Sequence, residues 1–310
     1  MADFIQKTRT SKQYILLMLK GIAMGAADVV PGVSGGTIAF ISGIYQELVE
    51  TISGIGPGVF MTLKEKGVVE TWKSYNLSFL FFLILGMLIS VFSLMKLVHF
   101  LLENHPIPLW SFFLGLVSAS VLFIAKQIKV WKPIYVILSF VSCAGAFYIT
   151  QMSASSANDS IYYLFFSGAI ASCAMILPGI SGSFILLLLG AYSTITTAVH
   201  EMDFKRIFAV AFGVLAGLLS FSHFLKWLFN NHKDLTLSVL TGFILGSLAK
   251  IWPWKIPIET ITIKEKTIIL KGKIVLPSDY TSDPQLGFAL AMTIIGFGVI
   301  MLLERVANKK

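Results

Sequence analysis

The strongest constraint on the fold is a long run without charged residues. From Ile161 to Val199 the chain contains no Asp, Glu, Lys or Arg. As one helix, these roughly 40 residues would extend about 60 Å at 1.5 Å per residue, twice the ~30 Å hydrocarbon core of a bilayer. The run must therefore fold back. Pro178-Gly179, near its centre, is where it can do so, because proline removes a backbone donor and glycine frees the backbone.

A second stretch, Tyr14–Ile52, has the same organisation around Pro31-Gly32. Of the ten prolines, only Pro31 and Pro178 lie deep inside apolar runs. We therefore predict two broken helical hairpins. We expect both to be re-entrant, because each arm has only about 15 to 17 residues, fewer than the ~20 that cross the core as a helix.

The composition indicates a polytopic membrane protein. In this 310-residue chain, hydrophobic residues make up 56% and charged residues 13%, about half of the ~25% typical of soluble domains. So few charges could not cover the surface of a soluble protein, and the mean hydropathy of +0.81 agrees. Six further runs are predicted to span the membrane: Leu77–Met95, Ile107–Ala125, Ile134–Met152, Ile207–Leu225, Leu235–Ala249 and Leu286–Leu303.

Lysine and arginine in short loops predict the sidedness of these spans. They cluster in residues 1–13, 64–73, 126–132 and 226–233 and at the chain end, which predicts cytoplasmic N- and C-termini. The net charge of +8 then indicates anchoring to anionic headgroups rather than to nucleic acid. The loop 255–284 is expected outside, and its alternating isoleucines predict a small extracytoplasmic β-hairpin.

The most informative feature is an internal repeat. Residues 26–36 read AADVVPGVSGG and residues 173–183 read CAMILPGISGS, so both contain P-G-[VI]-S-G-[GS]. Gly43 and Tyr45 match Gly190 and Tyr192 at the same spacing. We predict an all-α membrane protein with two repeats, 14–152 and 153–304, each a broken hairpin plus three transmembrane helices. An odd number of crossings makes the repeats inverted, an architecture in which transporters bind substrate at the helix breaks.

The chemistry of the two motifs favours an anion. A turn rich in glycine and serine directs backbone N–H groups and a helix N-terminus at one point, and hydroxyls add further donors. The alternative is that the small residues only allow close helix packing. The predicted phosphate-binding residues are Pro31, Gly32, Ser34, Gly35, Gly36, Thr37, Pro178, Gly179, Ser181, Gly182 and Ser183.

Four ionisable residues are candidates for proton coupling or charge contact, because such groups at membrane depth are often functional. Asp28 precedes the first break, where it either couples transport to protons, pairs with Lys20 or caps the broken helix. Glu47 follows the first hairpin. Lys96 and His223 occupy matched positions on two long spans, where they either contact phosphate or snorkel to the interface.

The paired motifs, over the range Tyr14–Leu303, resemble the PopT-type polyprenyl-phosphate transporters, long catalogued as a domain of unknown function. The resemblance implies a protein of the bacterial plasma membrane that returns undecaprenyl phosphate, the lipid carrier of wall precursors, to the cytoplasmic leaflet. It also implies that the headgroup sits at the motif residues while the prenyl tail stays among the membrane lipids.

The main alternatives are an undecaprenyl-diphosphate phosphatase and a small-anion transporter. Phosphatases of that type carry a similar repeated motif that continues Ser-Arg-Ser, whereas here Gly35 and Gly182 follow the motif serines. Without that arginine and a nearby base, we predict no catalytic residues and no enzyme activity. The sequence predicts no metal site and no cofactor, and it is compatible with a homodimer.

Overall fold

The computed structural model describes residues 9–30, 33–263 and 266–308, which form thirteen α-helices, one two-stranded sheet and a short 3₁₀ helix at Pro277–Asp279. The helices of the first half are α1 (Ser11–Val29), α2 (Gly35–Ile41), α3 (Tyr45–Gly54), α4 (Gly58–Ser74), α5 (Leu77–Asn104), α6 (Pro106–Ala125) and α7 (Pro133–Gln151). Those of the second half are α8 (Ile161–Ile176), α9 (Gly182–Leu188), α10 (Ala191–His200), α11 (Phe204–Asn231), α12 (Lys233–Ile251) and α13 (Leu286–Asn308).

Five helices in the described part of the chain are long and apolar enough to cross a membrane, namely α5, α6, α7, α11 and α12. They coincide with five of the six predicted spans, although α5 and α11 extend beyond the predicted ends. The apolar part of α13, Leu286–Leu302, is shorter than these five helices. The prediction of a mainly helical polytopic membrane protein is therefore confirmed.

Each hairpin is broken twice rather than once. After the Pro-Gly break, the expected single arm of about 15 to 17 residues divides into two short helices, α2 and α3 in the first half and α9 and α10 in the second. The axes of α9 and α10 differ by 106°. Gly43 and Gly190 lie at these second breaks with φ of 71° and 65°. This left-handed conformation ends a helix and favours glycine, which explains the extra division.

The order and length of the elements repeat between the halves. Helices α2 and α9 both have 7 residues, α3 and α10 both have 10, and α5 and α11 both have 28. Helix α1 packs on α5 as α8 packs on α11, and α6 packs on α13 as α12 packs on α7. Helix α4 belongs to the first half alone, where the sequence has an extra segment.

Matched glycines allow the helix pairs to approach closely. A Cβ atom at Gly86 of α5 would overlap the carbonyl oxygen of Met18 on α1, and one at Gly213 of α11 would overlap that of Phe165 on α8. Backbone contact of this kind is how small residues support helix association in membranes. The paired packing therefore brings the N-terminal helix of each hairpin against a long span.

The predicted β-hairpin is present as β1 (Lys255–Ile263) paired antiparallel with β2 (Lys266–Ile274). Two tryptophans attach the ends of this segment to the helical bundle. Trp252 Nε1 donates to the carbonyl of Val275 at 3.0 Å, and Trp254 Nε1 donates to that of Pro284 at 3.0 Å.

Candidate functional site at the paired helix breaks

The two sequence motifs form the connections between α1 and α2 and between α8 and α9. Ser34 is the N-cap of α2, and its Oγ accepts a hydrogen bond from the Gly36 N–H at 3.1 Å. Ser181 occupies the N-cap position of α9, and its Oγ lies 2.8 Å from Ser183 Oγ. Pro31 and Gly32 lie outside the described residues.

The structure brings the two breaks into direct contact. The Gly179 N–H of the second break donates to Thr37 Oγ1 of the first at 2.9 Å. In the opposite direction, Ser34 Oγ donates to the Leu177 carbonyl at 3.4 Å. A Cβ atom on Gly36 would lie 2.9 Å from the Ile176 carbonyl oxygen, so glycine at this position permits the close approach.

This junction is buried and polar at once. Ser34, Thr37 and Ser181 have exposed fractions of only 2%, 1% and 6%. Buried hydroxyls in an apolar membrane protein are costly unless they are hydrogen bonded. For Ser34 and Thr37 the contacts between the breaks meet that requirement, so these two hydroxyls also stabilise the junction, whereas Ser181 Oγ pairs with Ser183 Oγ within its own break.

Several backbone N–H donors that we predicted to bind an anion already have hydrogen-bond acceptors within the protein. The Gly35 N–H donates to Asp28 Oδ1 at 2.7 Å, the Gly36 N–H to Ser34, and the Gly179 N–H to Thr37. Asp28 therefore makes the capping contact that was one of its three alternatives. In the repeat, the residue that matches Asp28 is Met175, so the second break has no carboxylate at this position.

The other charged candidates lie in different surroundings. Glu47 accepts hydrogen bonds from Arg9 Nη2 at 2.5 Å and from Asn76 Nδ2 at 2.9 Å, so it joins the N-terminal segment to α3 and the start of α5. Lys96 and His223 are exposed on α5 and α11, and His223 Nδ1 lies 2.7 Å from the Leu219 carbonyl of its own helix.

A cavity of about 440 Å³ lies beyond the first break, and sequence reasoning did not find it. Its lining is contributed by the turn between α2 and α3, by the end of α6 and by the α11–α12 region. The lining residues are Phe40, Gly43, Tyr45, Gln46, Phe123, Lys126, Gln127, Phe229, Lys233 and Leu237. The match of Gly43 and Tyr45 to Gly190 and Tyr192 is the sequence signal that could have drawn attention to this region.

No group of three or more His, Cys, Asp or Glu side chains that could hold a metal ion occurs among the described residues. Cys143 and Cys173 are free thiols. The polar chemistry at the breaks thus consists of hydroxyls, backbone amides and one carboxylate.

The match to a known protein family covers both motifs. The family model described as undecaprenyl phosphate translocase-like matches residues 24–269, which include both breaks. A polyprenyl-phosphate transporter of Vibrio cholerae serotype O1 is 42% identical over 304 residues, covering 96% of this chain and 98% of the relative. A polyprenyl-phosphate transporter of Staphylococcus aureus is 36% identical over 255 residues, covering 76% and 85%.

No solved structure matches the chain significantly. The family match extends over most of the described helices, and the first relative is covered almost end to end. This chain therefore belongs to the undecaprenyl phosphate translocase-like family.

Proposed function

We propose that this protein moves undecaprenyl phosphate from the outer to the cytoplasmic leaflet of the bacterial plasma membrane, so that the carrier can be reused in cell-wall synthesis. The observation that carries the proposal is the hydrogen bond between Gly179 of the second break and Thr37 of the first. Irregular backbone at membrane depth is tolerated where it is buried in protein or lines a cavity, and in transporters such breaks form the substrate site. The names of the two relatives support a polyprenyl phosphate as the substrate.

The proposed architecture is a pair of inverted repeats with re-entrant hairpins. The matched lengths and the matched packing of the two halves support the duplication. The lysines and arginines of the short loops support cytoplasmic termini, and a half with an odd number of crossings reverses the orientation of the next. On this topology the first hairpin enters from the cytoplasm and the second from outside, so the two breaks meet from opposite sides.

The phosphate headgroup binds at this junction, with the hydroxyls of Ser181 and Ser183 as its first donors. These hydroxyls lie 2.8 Å apart, and their hydrogens can rotate from each other toward an anion. Ser34 and Thr37 complete the site when the headgroup displaces their contacts with the opposite break. The prenyl tail remains in the lipid during this movement.

Asp28 provides the coupling. Its carboxylate accepts the Gly35 N–H, one of the donors that a phosphate would use, so an ionised Asp28 competes with the headgroup. Protonation of Asp28 weakens this competition and links headgroup movement to protons. We expect Asp28→Asn to change the pH dependence of transport, measured as leaflet exchange between pH 5 and 8. An unchanged profile would leave Asp28 with its capping contact alone.

A transporter fits the chain better than the alternative phosphatase. The chain has three arginines. Arg9 pairs with Glu47 and Arg206 pairs with Asp203 and Asp159, so these two arginines are engaged with acidic residues. A phosphoryl transfer site needs fixed positive charge and an activated nucleophile at the reacting phosphate. The hydroxyls and amides of the breaks suit binding without bond cleavage.

The decisive experiment is leaflet exchange of a labelled polyprenyl phosphate in proteoliposomes, with released inorganic phosphate assayed in the same samples. We expect exchange without phosphate release. Phosphate release would establish an enzyme, and the absence of both would refute the proposal. The Ser34→Ala, Ser181→Ala double variant should fold and lose headgroup binding, whereas wild-type affinity in a well-folded double variant would exclude the breaks as the binding site.

A further inference from the structure

Glu47 holds helix α3 in place but takes no part in the proposed binding of the headgroup. Its carboxylate is ion-paired with Arg9, which precedes α1, and accepts a hydrogen bond from Asn76, the N-cap residue of α5. Arg9 Cζ also lies over the ring of Phe79, a fully buried residue of α5, at 5.3 Å from the ring centroid. Helix α3 is therefore tied at one point to the segment before α1 and to the start of a long span.

The second half has a polar contact at the matched place. Thr194 of α10, which aligns with Glu47 in the repeat, donates to Asp159 Oδ1 at 3.0 Å. Asp159 Oδ2 lies 3.7 Å from Arg206 Nη2, near the start of α11. Asp159 is two residues before α8 begins, as Arg9 is before α1. We refer to Arg9, Glu47 and Asn76 as the first polar cluster and to Asp159, Thr194 and Arg206 as the second.

The two clusters hold the two hairpin helices that follow a glycine turn. Gly43 connects α2 to α3 with φ of 71°, and Gly190 connects α9 to α10 with φ of 65°. A Cβ atom at Gly43 would have no atom within 4 Å, so no neighbouring atom obstructs rotation of the backbone at this turn. Hinges of moving helices are a few residues that absorb such rotations. Helix α3 can therefore pivot at Gly43 once the first cluster releases it.

The first cluster is buried but not fully hydrogen bonded. The side chains of Arg9 and Glu47 are 11% and 21% exposed, so water screens their attraction only in part. Arg9 Nη1, however, is buried and has no hydrogen-bond partner among the described residues. Because a buried donor without a partner has lost its hydration, separation of Arg9 from α3 would recover that free energy. In the second cluster the Asp159 side chain is 65% exposed, so its ion pair is weaker.

We propose that α3 and α10 are two gates, each hinged at the glycine turn before it and held closed by its own polar cluster. The inference rests on the proposed function, in which the first hairpin enters from the cytoplasm and the second from outside. Helix α10 then closes the outer side of the junction and α3 the cytoplasmic side. Opening of α10 admits the headgroup to the breaks, and opening of α3 releases it. Because the two clusters share no residue, one gate can open while the other remains closed.

The test measures how fast a buried cysteine on each gate reacts with a membrane-impermeant maleimide. The full-length protein is studied in inside-out and right-side-out membrane vesicles, without added lipid substrate. Cys143 and Cys173 are first replaced by serine, since both are free thiols. The reporters are Ser53→Cys on α3 and Ala198→Cys on α10, at positions that are 4% and 2% exposed.

Each cluster variant should act on its own gate. We expect Arg9→Gln to accelerate labelling of the α3 reporter about fivefold from the cytoplasmic side, and Asp159→Ala to accelerate labelling of the α10 reporter from the outer side. Arg9→Lys keeps the positive charge and should retain most of the slow labelling. Glu50→Gln is the matched control, because this acid of α3 accepts a hydrogen bond from Gln46 of its own helix and should leave both reporters unchanged.

Any other pattern overturns the proposal. Equal acceleration of both reporters by Arg9→Gln would show that Arg9 stabilises the whole fold, and no acceleration would show that the first cluster does not hold α3. Labelling of the α3 reporter from the outer side would contradict the assignment of the gates to the two faces. Leaflet exchange by the wild-type protein separates this inference from the proposed function. Absence of exchange refutes the proposed function, whereas exchange with unchanged labelling in Arg9→Gln and Asp159→Ala refutes the gates alone.

Discussion

The contact between the two breaks can be tested by Thr37→Val. This change keeps the shape of the side chain and removes the oxygen that accepts the Gly179 N–H at 2.9 Å. Thr37 is 1% exposed, so water cannot replace the lost acceptor. A buried donor left without a partner costs about 1–3 kcal/mol, and the apolar surroundings of a membrane protein favour the upper part of that range. We therefore expect a loss of about 2–3 kcal/mol in the free energy of unfolding.

The assay is equilibrium unfolding in mixed micelles, with Thr241→Val as the matched control. Thr241 is also buried, at 5% exposure, but its hydroxyl donates to the Leu237 carbonyl of its own helix. Its replacement leaves no N–H group without an acceptor, so we expect a change below about 1 kcal/mol. Thr37→Ser restores the oxygen and should recover most of the loss. Equal unfolding of Thr37→Val and wild type would refute the reasoning.

Three further predictions concern the same structural features. Gly36→Ala should destabilise the protein and reduce leaflet exchange, because the new Cβ would lie 2.9 Å from a backbone oxygen. Gly145→Ala is the control: a Cβ there would have no atom within 4 Å, so the change should be neutral or stabilising in the same unfolding assay. Burial and a neighbouring lysine charge lower the pKa of Lys255 to about 7 in the folded protein. Above that pH the unfolded chain binds more protons than the folded protein, so stability increases with pH. The melting temperature should therefore rise from pH 7 to 9 in the wild type but not in Lys255→Met. Ser34→Ala should cost about 1 kcal/mol of stability through the lost helix cap, whereas Ser181→Ala should keep its melting temperature and lose headgroup affinity.

The positions of the spans and breaks could be predicted because they follow from composition and local chemistry. Long apolar runs mark helices that cross a bilayer, and a proline within such a run removes a backbone hydrogen bond. The second break in each hairpin escaped prediction. A glycine in an apolar segment can allow close helix packing, or it can adopt the left-handed conformation that ends a helix. Only the backbone conformation shows that Gly43 and Gly190 do the second.

The partners within the junction could not be predicted from the sequence. The repeat indicated that the two motifs act together, but the pairing of Thr37 with Gly179 depends on how two distant segments are aligned in space. The same holds for Asp28: capping was one of three alternatives for this residue, and only the structure shows that its carboxylate accepts the Gly35 N–H. Local patterns identify the chemistry that is present, whereas long-range packing decides which donor meets which acceptor.

The two motifs differ where they meet, and the difference bears on the proposed direction of transport. At the first break the Asp28 carboxylate occupies a backbone donor, whereas at the second break Met175 takes its place in the repeat and the hydroxyls of Ser181 and Ser183 bond each other. In the proposed mechanism, an approaching phosphate therefore meets charge repulsion at the first break and rotatable donors at the second. On the proposed topology the second hairpin enters from outside, so the outer leaflet faces the break that accepts an anion more readily. In the proposed mechanism, passage to the cytoplasmic side requires Asp28 to release the Gly35 N–H or to be protonated, and this carboxylate is therefore the proposed coupling site.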